Sequence, residues 1–223
     1  MATTARAMWS KRQLFEVMCE FWSNHLNVAC PTDQVWFARH DYDTQVIRAH
    51  AFGRFEDMLI ASAKHPAMLT FLNNAESSKV EPNENYGREL LELHTVGIDG
   101  GYSEAEMYQS SLIMTGFTIN PDTGGYVYDG SLHHTGPVTV LGFNEANPTG
   151  SGGEAVGVRY LKYLANHRST ARQIARKLWI RFISDDPDPT FVESLADVYL
   201  YNDTAIVPVL RHLFESAEFN TAI

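Results

Sequence analysis

Between residues 82 and 104 the chain reads PNENYGRELLELHTVGIDGGYSE, and one helix-length stretch of it collects Asn83, Glu84, Asn85, Tyr86, Arg88, Glu89, Glu92 and His94. Such a set could do hydrolytic acid/base work: a carboxyl group with a raised pKa serves as base, an imidazole passes on the proton, and a guanidinium holds an anionic substrate group. On that reading Glu84, Arg88, Glu89, Glu92 and His94 are the catalytic candidates, and Asn83, Asn85, Tyr86 and the more distant Arg48 are candidates for binding substrate. Projected on a helix, Tyr86, Gly87, Leu90, Leu93 and His94 share one side; Glu84, Asn85, Arg88, Glu92 and Thr95 lie opposite, with Glu89 and Leu91 at the borders. The wet side can be read without chemistry, because Glu84, Arg88 and Glu92 are spaced for i,i+4 ion pairs. His94 sits on the apolar side, where its nitrogens need partners, either as a satisfied core residue or as a ligand.

His25, at the end of Phe21-Trp22-Ser23-Asn24-His25, is the second imidazole spaced to share a buried face, and His25 with His94 could ligate a divalent metal. The spacing of Glu89 and His94 is not the Glu-x-x-His of di-iron bundles. Three weaker clusters read more simply. Arg39-His40-Asp41-Tyr42-Asp43 is the kind of neighbourhood that nine histidines produce by chance. His133-His134 reads as an exposed loop, and Gly150-Ser151-Gly152-Gly153-Glu154-Ala155 as a flexible linker without the strand that a dinucleotide fingerprint needs. Arg168, Arg172, Arg176, Lys177 and Arg181 read as one solvated basic face. No phosphate loop, H-E-x-x-H or G-x-S-x-G motif is present.

The elements that must position these groups are mostly helices. Apolar residues Leu14, Phe15, Met18, Phe21, Trp22 and Leu26 predict a helix over 10–28, stopped by Pro31. Asp33 caps a second helix to about His50; others follow over 54–64, 66–72 and 84–97, with Gly97 at the last C-terminus. Ser103 and Glu106 form a capping box that opens the next helix, which Gly116 ends. Residues 117–153, rich in Gly, Pro, Asn and Asp, predict one β-hairpin at about 125–142, turning at Asp129-Gly130 between Tyr126–Tyr128 and Val138–Leu141. Helices resume over 154–166, 169–183, 189–201 and 204–217, with Asp188-Pro189 a strong start signal. The fold class is mainly α, an irregular bundle of about ten helices in one domain over residues 1–223.

Composition agrees with a folded domain. The chain has 223 residues, 44% of them hydrophobic and 20% charged. Its net charge of −10 argues against a nucleic-acid partner. The two cysteines, Cys19 and Cys30, have no metal-binding spacing. No apolar run is long enough for a transmembrane segment, and the first residues lack the apolar core of an export signal.

The run from Asn83 to Gly97, followed by Asp99-Gly100-Gly101-Tyr102, closely resembles the signature of the bacterial family known as domain of unknown function 1800. Phe21–Val28, Val46-Ile47-Arg48 with His50 and Gly53, His65–Leu69, Thr115-Gly116-Phe117 and Thr170–Leu178 agree in order, so the resemblance spans essentially the whole chain. It implies a piece of a longer protein, of which this is an internal or C-terminal portion, and an extracellular or cell-envelope address for the full-length members. Asn73, Leu112, Phe117 and His134 depart from the pattern, which usually has Asp, Arg, Trp and Asp near those places. The resemblance implies no activity. Two expectations result: a hydrolase-type enzyme with a polar His/Glu/Arg cleft, metal-assisted if His25 and His94 hold a cation, or a non-catalytic helical scaffold or binding module acting with another exported protein.

Overall fold

In the computed structural model, which describes residues 2–30 and 35–221, helices account for most of the chain. The expected stop at Pro31 and cap at Asp33 fall outside the described residues. Twelve α-helices occur among those described, together with two short antiparallel hairpins.

A helix not read from the sequence, α1 (Ala2–Trp9), precedes α2 (Gln13–His25). α2 buries Met18, Cys19, Phe21, Trp22 and His25, residues three and four apart that form one stripe. Trp22 adds an anchor, its Nε1 donating to the Ala51 carbonyl at 3.0 Å. α3 (Val35–Tyr42) runs on as a π-helical segment, Asp43–Arg48, and α4 (Phe55–Ala63) and α5 (Pro66–Phe71) complete the first half. Buried Tyr42 ties α3 to this group, its hydroxyl donating to the Leu26 carbonyl at 3.0 Å and lying 2.8 Å from the Ser62 hydroxyl.

α6 (Glu84–Glu89) carries the signature, and α7 (Glu104–Met114) packs across it. That crossing depends on Gly87: a Cβ there would stand 2.1 Å from Ser111 Oγ and 2.6 Å from its backbone nitrogen. The capping box at Ser103 and Glu106 forms as expected.

The expected hairpin is corrected to two. β1 (Phe117–Ile119) pairs with β2 (Tyr126–Tyr128), and β3 (Val138–Val140) with β4 (Phe143–Glu145). Asp129-Gly130 is therefore not the hairpin turn. The first turn is closed by Asn120, whose Oδ1 accepts from the backbone of Asp122 and Thr123. The second has only Leu141 and Gly142 between the strands, both at positive φ (50° and 88°), the backbone that a two-residue hairpin of matching twist demands. Gly130 serves a different need, lying so close to Gly150 that a Cβ would be 2.8 Å from the latter's carbonyl.

The Gly-rich run expected to be a flexible linker is a turn leading directly into α8 (Gly153–Ala165). Gly153 leaves room for His133, which is fully buried rather than in an exposed loop. His133 Nε2 lies 2.9 Å from Asn147 Oδ1, and Nδ1 lies 2.7 Å from the Thr115 carbonyl, so the ring ties the hairpins to the end of α7. α9 (Arg168–Phe182), α10 (Pro189–Tyr201), α11 (Ile206–Phe214) and α12 (Ala217–Thr221) close the bundle, with Asp188 accepting from the first amides of α10 as its N-cap. Core residues from α2 through α11 belong to one contiguous apolar cluster, and both cysteines are free.

The four departures from the family pattern have ordinary places. Asn73 takes a left-handed backbone (φ 57°), which asparagine tolerates better than most residues. Phe117 is buried against Tyr126 and Tyr128, Leu112 is half-buried, and His134 donates its backbone N–H to Thr115 Oγ1.

Candidate functional site

Asn83 starts the signature helix as its N-cap, its side-chain oxygen accepting from the Asn85 amide at 2.9 Å. Asn85 makes a long 3.4 Å contact back to the Leu72 carbonyl. Tyr86 is buried, and burial raises its pKa. These three residues are spent on local structure.

Glu84, Arg88 and Glu92 lie on the wet side. Arg88 meets Glu92 at 3.4 Å, Glu104 of α7 at 3.6 Å and Glu84 at 4.0 Å. Exposed pairs of this kind are worth at most about 1 kcal/mol each. Glu89 is half-buried; burial, with the Glu92 charge second, pushes its pKa up. Arg48 is elsewhere, its guanidinium forming a two-pronged bond to Glu16 at 2.8 and 2.9 Å and lying over the Phe15 ring.

After Glu89 the helix widens into a π-helical segment, Leu90–His94. The Thr95 hydroxyl donates to the Leu90 carbonyl at 2.6 Å, a side-chain bond that competes with the regular ladder. The wider turn rotates the faces away from an ideal projection: Leu91 is fully buried, whereas Leu93, expected on the buried side, is 48% exposed. His94 remains buried as expected, at 3%.

At this terminus backbone carbonyls run out of helical partners, and two residues from other helices supply them. His25 of α2 has its Nε2 3.0 Å from the His94 carbonyl, so Nε2 carries the proton. Nδ1 is then the bare acceptor, and Lys177 of α9 donates to it at 2.9 Å, with a longer 3.5 Å contact to the Leu93 carbonyl. The His25 ring is packed among Phe21, Trp22 and Phe55. Burial, followed by the charge of Lys177, holds the pKa of His25 well below the ordinary imidazole value. The same causes bring His94 down to about 4, and its Nδ1 is buried without a partner among the described residues. Burial also lowers the pKa of Lys177. The lysine makes no ion pair with a carboxylate among the described residues.

As a metal ligand His25 would have to give up one of these two bonds. Among the described residues no group of three or more His, Cys, Asp and Glu side chains is placed to hold a metal ion.

Lys177 faces open space on both sides. A cleft of about 800 Å³ lies between the turn after the signature helix and α9 and α10, lined by Glu92, Leu93, Gly97, Asp99, Arg176 and Lys177 among others. A smaller hollow of about 440 Å³ on the other side is lined by Phe21, Asn24, His25, Lys177, Ile180 and Arg181. The first has a volume within the range of small-molecule sites, and its walls mix apolar residues such as Leu93, Val96, Ile98 and Val192 with charged ones of both signs. Of the expected catalytic residues it takes in Glu92; Glu84, Arg88, Glu89 and His94 are not in its walls.

Lys177 was hidden in the basic run. Three others of that run are paired at the surface, Arg168 with Glu193 and Asp197, Arg172 with Glu193, and Arg181 with Glu20, and Arg176 is exposed. A finer helical projection separates Lys177 from Arg168, Arg172 and Arg176. Arg168, Arg172 and Arg176 are four apart on one stripe, whereas Lys177 is seven after Thr170 and three after Ile174, both buried. At 100° per residue that puts Lys177 within about 20° of Thr170, on the apolar stripe.

Comparison with known proteins is consistent with the signature. The model of the family described as "Protein of unknown function (DUF1800)" matches residues 1–222. No curated protein and no solved structure matches the chain. No helix among the described residues is long and apolar enough to cross a membrane.

Proposed function

We propose that this chain, which belongs to the DUF1800 family, acts as one helical unit of a hydrolase-type enzyme whose chemistry takes place in the cleft between the signature helix and α9. The observation that carries the reading is Lys177, an amine in the cleft wall held 2.9 Å from an imidazole nitrogen that can only accept. A lysine with a depressed pKa supplies neutral amine closer to physiological pH than an exposed one, and so can serve as a general base. In this role Lys177 takes the proton of an attacking water, His25 orients it, and Glu92 and Arg176 at the cleft wall hold polar groups of the substrate. Glu84, Arg88 and Asn83 fix the helix that presents Glu92. The extracellular or envelope address implied by the family signature belongs to this proposal.

A second reading has its own support. Asn83, Asn85, Glu84 and Arg88 all bond locally or to the neighbouring α7, as residues of a non-catalytic scaffold or binding module acting with an exported partner would. Chromogenic ester, amide, phosphoester and glycoside substrates separate the two. The enzyme reading expects turnover of one class that falls at least a hundredfold in Lys177→Met and persists in Glu84→Gln, with both variants folded by circular dichroism. Absence of turnover in every class by the folded wild-type protein would overturn it in favour of the scaffold.

A further inference from the structure

We infer that Lys177 is a nucleophilic amine that condenses with an aldehyde or ketone entering the cleft and holds it as an imine. The inference rests on the cleft of the preceding reading being open to small molecules and is independent of whether hydrolysis occurs there.

The chain has five lysines. Lys64 is held by Glu154 at 2.8 Å and Lys162 by Glu56 at 3.1 Å, so each amine is tied to a carboxylate. Lys11 and Lys79 are exposed to solvent. Lys64 and Lys177 are both half-buried, but only Lys177 of the five lines both hollows and has no carboxylate in ion-pair range among the described residues. Its neighbours are neutral acceptors, the bare Nδ1 of His25 and the Leu93 carbonyl. They orient the amine without stabilising its charge as an anion would, and the depressed pKa of Lys177 agrees with that. This is the environment in which lysines form Schiff bases: partly desolvated, near a proton acceptor and reachable from a cleft.

The step balances without an oxidant or reductant. The ammonium gives a proton to solvent or to His25 Nδ1. The nitrogen lone pair then forms a bond to the carbonyl carbon, and the C=O π pair moves to oxygen, which is protonated. Loss of the remaining N–H proton and departure of the hydroxyl as water leave C=N, so that amine and carbonyl compound give imine and water.

The test uses the whole chain. The protein is incubated at neutral pH with limiting propanal, and in parallel with glyoxylate as an anionic counterpart; imines are trapped with cyanoborohydride, and the modified lysines are located by peptide mass mapping. Labelling at Lys177 is expected to exceed that at each of the other four lysines at least tenfold, with its rate rising at lower pH than that of Lys11. His25→Gln, read for folding by circular dichroism, should shift the Lys177 labelling profile towards that of Lys11. Labelling of Lys177 no faster than of the exposed lysines would overturn the inference. Preferential labelling without turnover of any hydrolase substrate would keep the inference and remove the hydrolytic reading; turnover that needs Lys177 without preferential labelling would do the reverse.

Discussion

The buried His94 ring makes a strong prediction about acid stability. An imidazole whose pKa falls from 6.5 to about 4 on folding is held neutral in the native state and charges more readily when unfolded. The unfolded chain therefore binds more protons between these values, and stability falls as pH drops through that window. The full effect, about 2.5 pH units at ~1.36 kcal/mol each, is about 3 kcal/mol, complete above pH 6.5 and gone near pH 4. At pH 5 the wild type should already have lost about 2 kcal/mol through this group alone. His94→Phe removes the titration. It also removes a ring nitrogen that is buried without a partner, so at pH 7 it should cost less than about 1 kcal/mol. Urea unfolding of wild type and variant at pH 7, 6 and 5 measures the difference, and carboxylates titrating at the acid end cancel in it. The difference between the two should move by about 2 kcal/mol from pH 7 to pH 5, leaving the variant the more stable of the two by about 1 to 2 kcal/mol at pH 5. A variant that unfolds in parallel with the wild type at all three pH values, or that loses several kcal/mol at pH 7, would refute the assignment of His94 as a neutral core imidazole.

Two further substitutions test the frame around the site. Gly87→Ala drives a methyl group to within 2.1 Å of Ser111 Oγ, so α6 and α7 must separate; we expect a loss of about 2 kcal/mol and a thermal midpoint lower by several degrees, and an unchanged midpoint would mean the crossing is looser than described. Arg48→Met strips the guanidinium from Glu16, whose side chain is only 13% exposed, and should cost about 2 kcal/mol in chemical denaturation, with part recovered when Glu16→Gln is added; no recovery would show that the pair is not the source of the loss.

Much of the frame was legible from capping chemistry. Ser103 with Glu106 and Asp188 with Pro189 mark helix starts within a residue of where they occur, because each motif satisfies orphan amides locally. The hairpins were misread for an equally local reason. Asp129-Gly130 has the composition of a tight turn, but Gly130 is there for close approach to Gly150, a contact across 20 positions that no short window contains. Leu141-Gly142, which does make a turn, looks like strand followed by glycine. The signature helix was placed correctly and projected wrongly. An ideal helix puts Leu93 inside; the π-helical widening, sustained by the Thr95 hydroxyl, turns it out and draws Leu91 in. Lys177 does not stand out in the basic run because its partner, His25, is 152 residues away, and its place on the apolar stripe shows only when the run is projected residue by residue.

The site also explains how a motif written in polar side chains can matter when several of those side chains only bond to neighbours. Asn83 fixes where the helix begins, Arg88 pins its flank to Glu104 of α7, and Thr95 takes up the Leu90 carbonyl at its far end. Together they determine where the Leu93 and His94 carbonyls emerge. The His94 carbonyl sets the proton on His25 Nε2 and leaves Nδ1 bare, and the bare nitrogen, with the Leu93 carbonyl at longer range, holds Lys177 in the wall of the cleft. A shift of the terminus by a fraction of a turn would turn the His94 carbonyl away from His25, free the imidazole to take the other tautomer and replace an acceptor facing Lys177 with a donor. The polar residues of the signature then act on the lysine through backbone geometry, so their chemistry need not be exerted at the cleft for their identity to be required.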